Sequence, residues 1–362
     1  MASVPDVIHT WQMVEAGKGG KPGKLVKTTI PVPELGPDEA LVEVAGCGVC
    51  HTDLGYFYDG VPTVNKPPLT LGHEISGTVV AGPDELVGKH VIVPAVMPCN
   101  NCEICAKGRG NSCLNQRMPG NSLGIYGGFS SHIPVPATDL CVIDELKMPL
   151  SHYAVVADAV TTPYQAAMRA GITEGDRVLI IGAVGGVGTY MTQVAKALGA
   201  SVVVGMDINQ AKLEKALNFG LDYAINTKDK DLKAIRNEFK EVAKAAGVPA
   251  NVDWKIFECS GTGAGQEIGL MLLGFISKLI IVGYTTQTLE FMFSRLMAFD
   301  AEIIGTWGCL PKYYKDVLAM VQDGRIQVEP FIETKPMSKI EEVFEQAHSR
   351  LLDKRQILVP DF

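Results

Sequence analysis

Nowhere does the sequence string together the ~18 apolar residues that a membrane-spanning helix needs, and no dense Lys/Arg cluster interrupts it. The first absence excludes an integral helical membrane protein. The second, with 32 basic against 40 acidic residues and a formal net charge of -8, argues against a nucleic-acid partner, because phosphate binding draws its affinity from clustered cations. Residues 1–20 lack the basic flank and apolar run of a secretory signal, so a soluble, cytoplasmic protein with no membrane partner is expected. Internal repeats and low-complexity tracts are missing too, which removes solenoid and fibrous architectures.

Cysteine is the exception to this sparseness. Nine cysteines in a chain of 362 residues cannot all pair, and thiols in a cytosolic protein stay reduced, so their spacing points to metal ions before disulfides. The length is too great for one ordinary core and comfortable for two. Apolar residues at 47% and charged residues at 20% are ordinary for a folded globular protein.

Residues 24–30, 40–45, 76–81 and 90–93 read as short strands broken by Gly and Pro, a small irregular β domain. A helical stretch follows at 149–171. Beyond it, strand patterns at 177–181, 201–206, 223–225, 253–258, 278–282 and 302–305 alternate with amphipathic helices. Such alternation predicts an α/β fold, a doubly wound parallel sheet of six strands. Past Trp307 the pattern gives a helix over 313–322, a strand-like 328–332, and a helix over 338–352 opened by a capping box of Ser338 and Glu341.

Cys99, Cys102 and Cys105, with Cys113 eight positions on, form C-x2-C-x2-C-x7-C. Four thiolates close a tetrahedral zinc and leave no position open, so the expected role is to hold a lobe that has no core of its own. An iron–sulfur cluster is the rival, but in such runs the fourth cysteine usually follows after three residues and precedes Pro. Cys113 follows after seven and precedes Leu114.

A second set is thinner by spacing alone. Cys50 ends one strand-like run, in Cys47-Gly-Val-Cys50-His51-Thr52-Asp53, and His73 opens another, in Leu71-Gly72-His73-Glu74. A catalytic zinc takes three protein ligands and keeps one exchangeable position; the third candidate is Asp158.

The segment from Val178 through Gly182, Gly185, Gly186 and Val187 to Gly188 is a buried strand, a glycine turn and a helix start, the context that makes a dinucleotide fingerprint meaningful. The turn is one residue longer at its first glycine than the strict pattern. Glycine lets the backbone approach a pyrophosphate, whose charge meets the helix N-terminus. Asp207, at the end of the next strand, suits the adenosine ribose hydroxyls and repels a 2′-phosphate, which favours NAD over NADP.

Residues 46–53 and 72–74, the four-cysteine lobe and the glycine turn stand in the same order as in zinc-dependent medium-chain alcohol dehydrogenases, and the chain resembles that family over nearly its whole length. The resemblance implies a GroES-like catalytic domain, residues 1–159 with 303–362, a Rossmann domain, residues 160–302, an active site in the cleft between them, and NAD with two zinc ions per chain. Matched residue by residue, it makes Cys50 and His73 ligands of the catalytic zinc. Glu74 stands beside the metal, Thr52 accepts the substrate's proton, and His51 contacts the cofactor pyrophosphate. Asp53 then accepts a hydrogen bond from the His73 ring nitrogen that is not on zinc.

Two positions depart from the family pattern. Asp158 stands where many relatives carry Cys, a hard oxygen for a soft thiolate, which donates less charge and leaves zinc a stronger Lewis acid. Gly55 stands where familiar members place a proton-relaying His. The segments 55–71 and 118–132 resemble members that act on a cyclic allylic alcohol carried as a coenzyme A thioester; that resemblance implies this substrate and its enone product, and because an enone polarised by zinc is electrophilic at its β-carbon, addition of water to it is a further expectation. A basic rim for the thioester's phosphates is then expected, with Lys66, Arg109, Arg117 and Lys312 as candidates. A generic secondary-alcohol or polyol dehydrogenase is the enzyme alternative, and a catalytically silent nucleotide-binding relative would lack Cys50, His73 and the lobe. Relatives assemble through the cofactor domain's edge strand, so a homotetramer is expected.

Overall fold

The computed structural model describes residues 4–362. Two compact units emerge, one of residues 1–161, 308–322 and 328–362, the other of 162–307 with 323–327. The chain re-enters the first unit after Trp307, whereas the resemblance put the return at 302/303, inside what proves to be a strand, Glu302–Gly305. That strand is hydrogen-bonded to its parallel neighbour Lys278–Ile281, which keeps it with the second unit.

The second unit contains the predicted doubly wound sheet. Its six parallel strands run in the order Tyr223–Asn226, Val202–Asp207, Arg177–Ile181, Trp254–Glu258, Lys278–Ile281, Glu302–Gly305. Every residue of Trp254–Glu258 is buried, as expected of a strand covered on both faces. The glycine turn leaves the top of Arg177–Ile181, between its two neighbours Val202–Asp207 and Trp254–Glu258, where the strand order reverses and ligands of such sheets bind. The helix after it, Gly188–Ala197, buries Met191, Val194 and Ala195 and stops before Gly199, whose φ of 90° suits a helix terminus.

The first unit is β-rich. A seven-stranded sheet orders Ile332–Pro336, Arg355–Val359, Glu39–Gly48, Glu74–Ala81, His90–Val93 and Cys141–Val142, with His132–Pro136 also paired to Glu39–Gly48. A three-stranded sheet joins Lys24–Pro31, Val7–Glu15 and Leu69–Thr70. Their shared core includes Val42, Val44, Leu71, Ile75, Phe129 and Phe344, and the Phe344 ring meets Phe57 and Phe129 edge-on at 5.4 and 5.5 Å.

The C-terminal region corrects two expectations. The strand-like 328–332 begins instead as a short 3-10 turn, Glu329–Phe331, and the strand is Ile332–Pro336. The helix predicted over 338–352 is Ile340–His348 and carries no side-chain cap. Ser338 is drawn away by Asp361, whose carboxylate accepts both its amide N–H, at 2.8 Å, and its hydroxyl, so the capping box with Glu341 does not form.

Candidate active site and metal centres

Strand register brings the first donors together. Glu39–Gly48 runs antiparallel to Glu74–Ala81 with Gly48 opposite Glu74, so Cys50, just past one strand, and His73, just before the other, emerge side by side. Gly48 makes the approach possible, because a Cβ there would lie 2.1 Å from Glu74 Oε2.

Asp53, fully buried, then locks both segments. One carboxylate oxygen accepts the Cys50 N–H at 3.1 Å; the other accepts the Gly72 N–H at 3.0 Å and stands 3.3 Å from His73 Nδ1. The His73 Nε2 is thereby turned toward Cys50 and Asp158.

Asp158 arrives from a long 3-10 segment, Leu150–Ala157, which lies against the same strands; Ser76 Oγ donates to Leu150 O at 2.7 Å. Its Oδ2 is 3.6 Å from His73 Nε2 and 3.7 Å from Cys50 Sγ. One ligand atom from each of Cys50, His73, Glu74 and Asp158 lies within 4.8 Å of all the others. Donors around a single zinc, with bonds of ~2.0–2.3 Å, stand roughly 3.3–3.5 Å apart, so this set needs only slight contraction to hold one. Burial opposes a charge on His73, yet Asp53 first, then the hydrogen bonds to Asp158, Asp53 and Cys50, raise its pKa well above the ordinary value.

Glu74 is held by Arg355, which sequence reasoning did not find. Arg355 Nε donates to Glu74 Oε2 at 2.8 Å and Nη2 to Oε1, across 281 positions of chain. The pairing follows from topology, because Arg355–Val359 is the next strand of the sheet, with Ile357 opposite Gly48. Thr52 Oγ1 lies 3.7 Å from Cys50 Sγ, at the mouth of the cluster. His51, at the start of the short helix His51–Leu54, has its pKa held below the usual value by loss of solvent around its ring and then by the charges of Arg350, Arg355 and His348. Gly55 adopts helical angles, φ -59° and ψ -41°, and a Cβ there would meet only Val61, at 3.4 Å. The backbone does not require glycine at that position.

The four lobe cysteines converge. Sγ–Sγ distances are 3.4 Å for Cys99–Cys113, 3.5 Å for Cys102–Cys105, 3.7 Å for Cys102–Cys113 and 3.9 Å for Cys99–Cys105. A zinc with four thiolates at ~2.3 Å sets its sulfurs about 3.8 Å apart, whereas a disulfide needs ~2.05 Å. Hydrogen bonds, that from the Asn101 backbone first, pull the Cys99 thiol down to about 6, toward the thiolate that binds metal.

In the second unit, Gly182 takes φ 76°, and a Cβ on Gly188 would lie 2.0 Å from Gly182 O, so the turn folds back tightly on itself. Gly185 N–H donates to Gly182 O at 3.2 Å, with Gly186 and Val187 completing the loop into the helix. Asp207 caps the turn: its carboxylate accepts from Val184 N at 3.3 Å, Ile208 N at 2.8 Å and Asn209 N at 3.1 Å. The N-cap of the next helix is Asn209, not Asp207. Of the basic candidates, Arg117 pairs with Glu39 at 2.9 Å and Lys312 lies 4.9 Å over the Tyr313 ring.

Residues 36–145 match the family described as alcohol dehydrogenase GroES-like domain, and residues 186–323 match the family of zinc-binding dehydrogenases. An alcohol dehydrogenase of Geobacillus stearothermophilus is 31% identical over 332 residues, covering 90% of this chain and 93% of its own. A sorbitol dehydrogenase of Bombyx mori is 28% identical over 335 residues, 88% of this chain and 91% of the relative. The crystal structure of galactitol-1-phosphate dehydrogenase from Escherichia coli superposes with a TM-score of 0.84 at 24% identity, over 97% of this chain and all of that one; at that identity it speaks for the fold alone. A β-rich metal-binding unit joined to a doubly wound sheet defines a dinucleotide-linked, metal-dependent oxidoreductase. The chain belongs to the zinc-dependent medium-chain alcohol dehydrogenase family, for which zinc and NAD are the typical cofactors. Among the described residues no helix is long and apolar enough to cross a membrane.

Arg355→Met tests the buried ion pair. Removing the cation leaves Glu74 buried and unanswered, a loss of about 3–5 kcal/mol. Burial already raises the Glu74 pKa and Arg355 is the main opposing influence. Without Arg355 the folded state binds a proton that the unfolded chain releases, so the variant's stability must fall as pH rises above the ordinary carboxylate range toward the raised folded pKa. Denaturant titrations at several pH values check both the loss and its sign.

Proposed function

We propose that this chain oxidises a secondary alcohol or polyol to the carbonyl compound with NAD, at the cluster of Cys50, His73 and Asp158. The observation that carries the reading is the convergence of a thiol, an imidazole and a carboxylate from three distant segments within zinc-binding reach. These three residues would hold the catalytic zinc, and Cys99, Cys102, Cys105 and Cys113 the structural one. Zinc, when bound, supplies a Lewis acid that makes an alcohol oxygen easier to deprotonate. NAD, when bound, takes the hydride.

The chain's own residues do the rest. Thr52 Oγ1 accepts the substrate's hydroxyl proton. Asp53 fixes the His73 ring so that Nε2, not Nδ1, serves as donor. Glu74, charge-balanced by Arg355, stands beside the ligands without being the first to bind. His51, in the company of Arg350 and Arg355, faces the dinucleotide's diphosphate; Gly182, Gly185, Gly186, Val187 and Gly188 admit it closely to the backbone, and Asp207 takes the ribose hydroxyls.

A narrower reading concerns the substrate. Residues 55–71 and 118–132 resemble those of 6-hydroxycyclohex-1-ene-1-carbonyl-CoA dehydrogenase, an enzyme of anaerobic benzoyl-CoA breakdown. The two segments pack together through one side chain: Asn121 donates to Tyr56 Oη at 2.9 Å and accepts from Val64 N at 2.7 Å, while its backbone carbonyl accepts from Asn65 N at 2.9 Å. On that resemblance alone, the narrower substrate is the cyclic allylic alcohol of a CoA thioester. Its enone product stays electrophilic at the β-carbon, so the same pocket adds water.

We also propose a soluble, cytoplasmic homotetramer. Glu302–Gly305 is the open edge of its sheet and largely exposed, and Met292, Phe293 and Met297 present apolar surface nearby in sequence. A monomeric mass by light scattering contradicts this.

A substrate panel decides between the two chemistries. NAD reduction with free secondary alcohols or sorbitol supports the broad reading, and reduction with the CoA thioester alone supports the narrow one. Enone thioester incubated without NADH must then yield a hydrated product. In parallel, two zinc equivalents per chain must fall to one in Asp158→Ala, with loss of NAD reduction; two retained equivalents remove Asp158 from the ligand set.

A further inference from the structure

One buried hydroxyl touches both metal-bearing segments of the first unit. Tyr314 opens the helix Tyr314–Gln322 and is fully buried. Its Oη donates to Ala157 O at 2.5 Å and accepts the Ala95 N–H at 3.0 Å. Ala157 O belongs to the peptide that joins Ala157 to Asp158, so whatever fixes that carbonyl fixes the plane from which the Asp158 side chain departs. Ala95 lies just beyond the strand His90–Val93 and four positions before Cys99, at the root of the four-cysteine lobe.

The same carbonyl accepts a second hydroxyl, Thr161 Oγ1 at 3.1 Å. Two donors on one buried carbonyl is more than backbone satisfaction requires, and the 3-10 segment ends here, with Asp158 leaving the helical path at φ -142° and ψ -56°. Burial, and then the neighbouring Cys309, hold the Tyr314 phenol well above its ordinary pKa, so it remains a neutral donor. No catalytic step needs it.

We propose that Tyr314 is a positioning residue for the Asp158 carboxylate, tying the peptide before Asp158 to the root of the cysteine lobe so that the third donor meets Cys50 and His73. The proposal rests on Asp158 being a ligand of the catalytic metal. Its consequence is that the geometry of one metal centre depends on the seating of the other. The link is made through a residue that touches neither ion.

Zinc-loaded Tyr314→Phe, wild type and Asp158→Ala are compared by zinc release to a chromogenic chelator and, after exchange of cobalt(II) into the catalytic site with zinc kept in the lobe, by the visible d–d spectrum. Phe keeps the ring and removes only the hydroxyl, so the lobe's slow release phase and the thermal midpoint serve as controls for simple loss of structure. The expected result is about tenfold faster release from the catalytic site, the weight of one lost buried hydrogen bond, together with a shifted cobalt spectrum and an unaltered lobe phase. Release and spectrum identical to wild type in Tyr314→Phe, while Asp158→Ala alters both, overturn the positioning role and leave the ligand assignment standing. No change in Asp158→Ala overturns the ligand assignment and with it this proposal. Should Tyr314→Phe give no folded chain, Thr161→Val decides by the same readouts: it removes the other hydroxyl from the carbonyl and must speed release by a smaller factor, and unchanged release overturns the role.

Discussion

Two carboxyl groups, a thiol and an imidazole pack within 4.8 Å of one another, and ionising more than one of them is costly unless positive charge lies among them. Like charges ~4 Å apart repel by about 4 kcal/mol even at an effective dielectric of 20, and burial takes away the water that would otherwise screen them. Arg355 meets the demand of Glu74. His73 faces Cys50 and Asp158 directly, and the Arg355 charge reaches both of them as well. Donors gathered in this way suit a divalent ion, and the family to which the chain belongs is one of zinc-binding dehydrogenases.

That demand explains features otherwise without purpose. Gly48 gives up its side chain so that Glu74 can lie against it. Asp53 is buried with both oxygens engaged, fixing the approach of Cys50 and His73 before any ion arrives. The last strand of the sheet, far away in sequence, delivers Arg355 to the same edge. Three strand ends and one 3-10 segment meet at one spot, where Asp158 sets a carboxylate beside the Cys50 thiol and the His73 imidazole. In the cysteine lobe, where Leu114 is 86% exposed, four thiols converge at a spacing that suits a metal ion.

Local chemistry was legible in the amino-acid sequence, and long-range convergence was not. The four-cysteine lobe and the glycine turn are each written within a short window, and the period of the β/α alternation marked all six parallel strands. Cys50 and His73 are unremarkable by spacing alone; resemblance to the family singled them out, and register then explained why they meet. Arg355 carried no local signal, because its meaning comes from a strand pairing 281 positions removed from Glu74. Tyr314 was equally silent within its helix. The capping box at Ser338 failed for a related reason: Asp361, at the far end of the chain, offered a carboxylate that outcompeted Glu341 for the same serine. Propensity describes what a segment does alone, and here tertiary partners decided.

The most direct test of the account is an anomalous-difference map at the zinc edge from crystals of the untreated protein. Two peaks per chain are predicted, one centred among Cys99, Cys102, Cys105 and Cys113, the other ~2.0–2.3 Å from Cys50 Sγ, His73 Nε2 and an Asp158 carboxylate oxygen. A folded, active preparation showing only the lobe peak, or a second ion bound without Asp158, would contradict it.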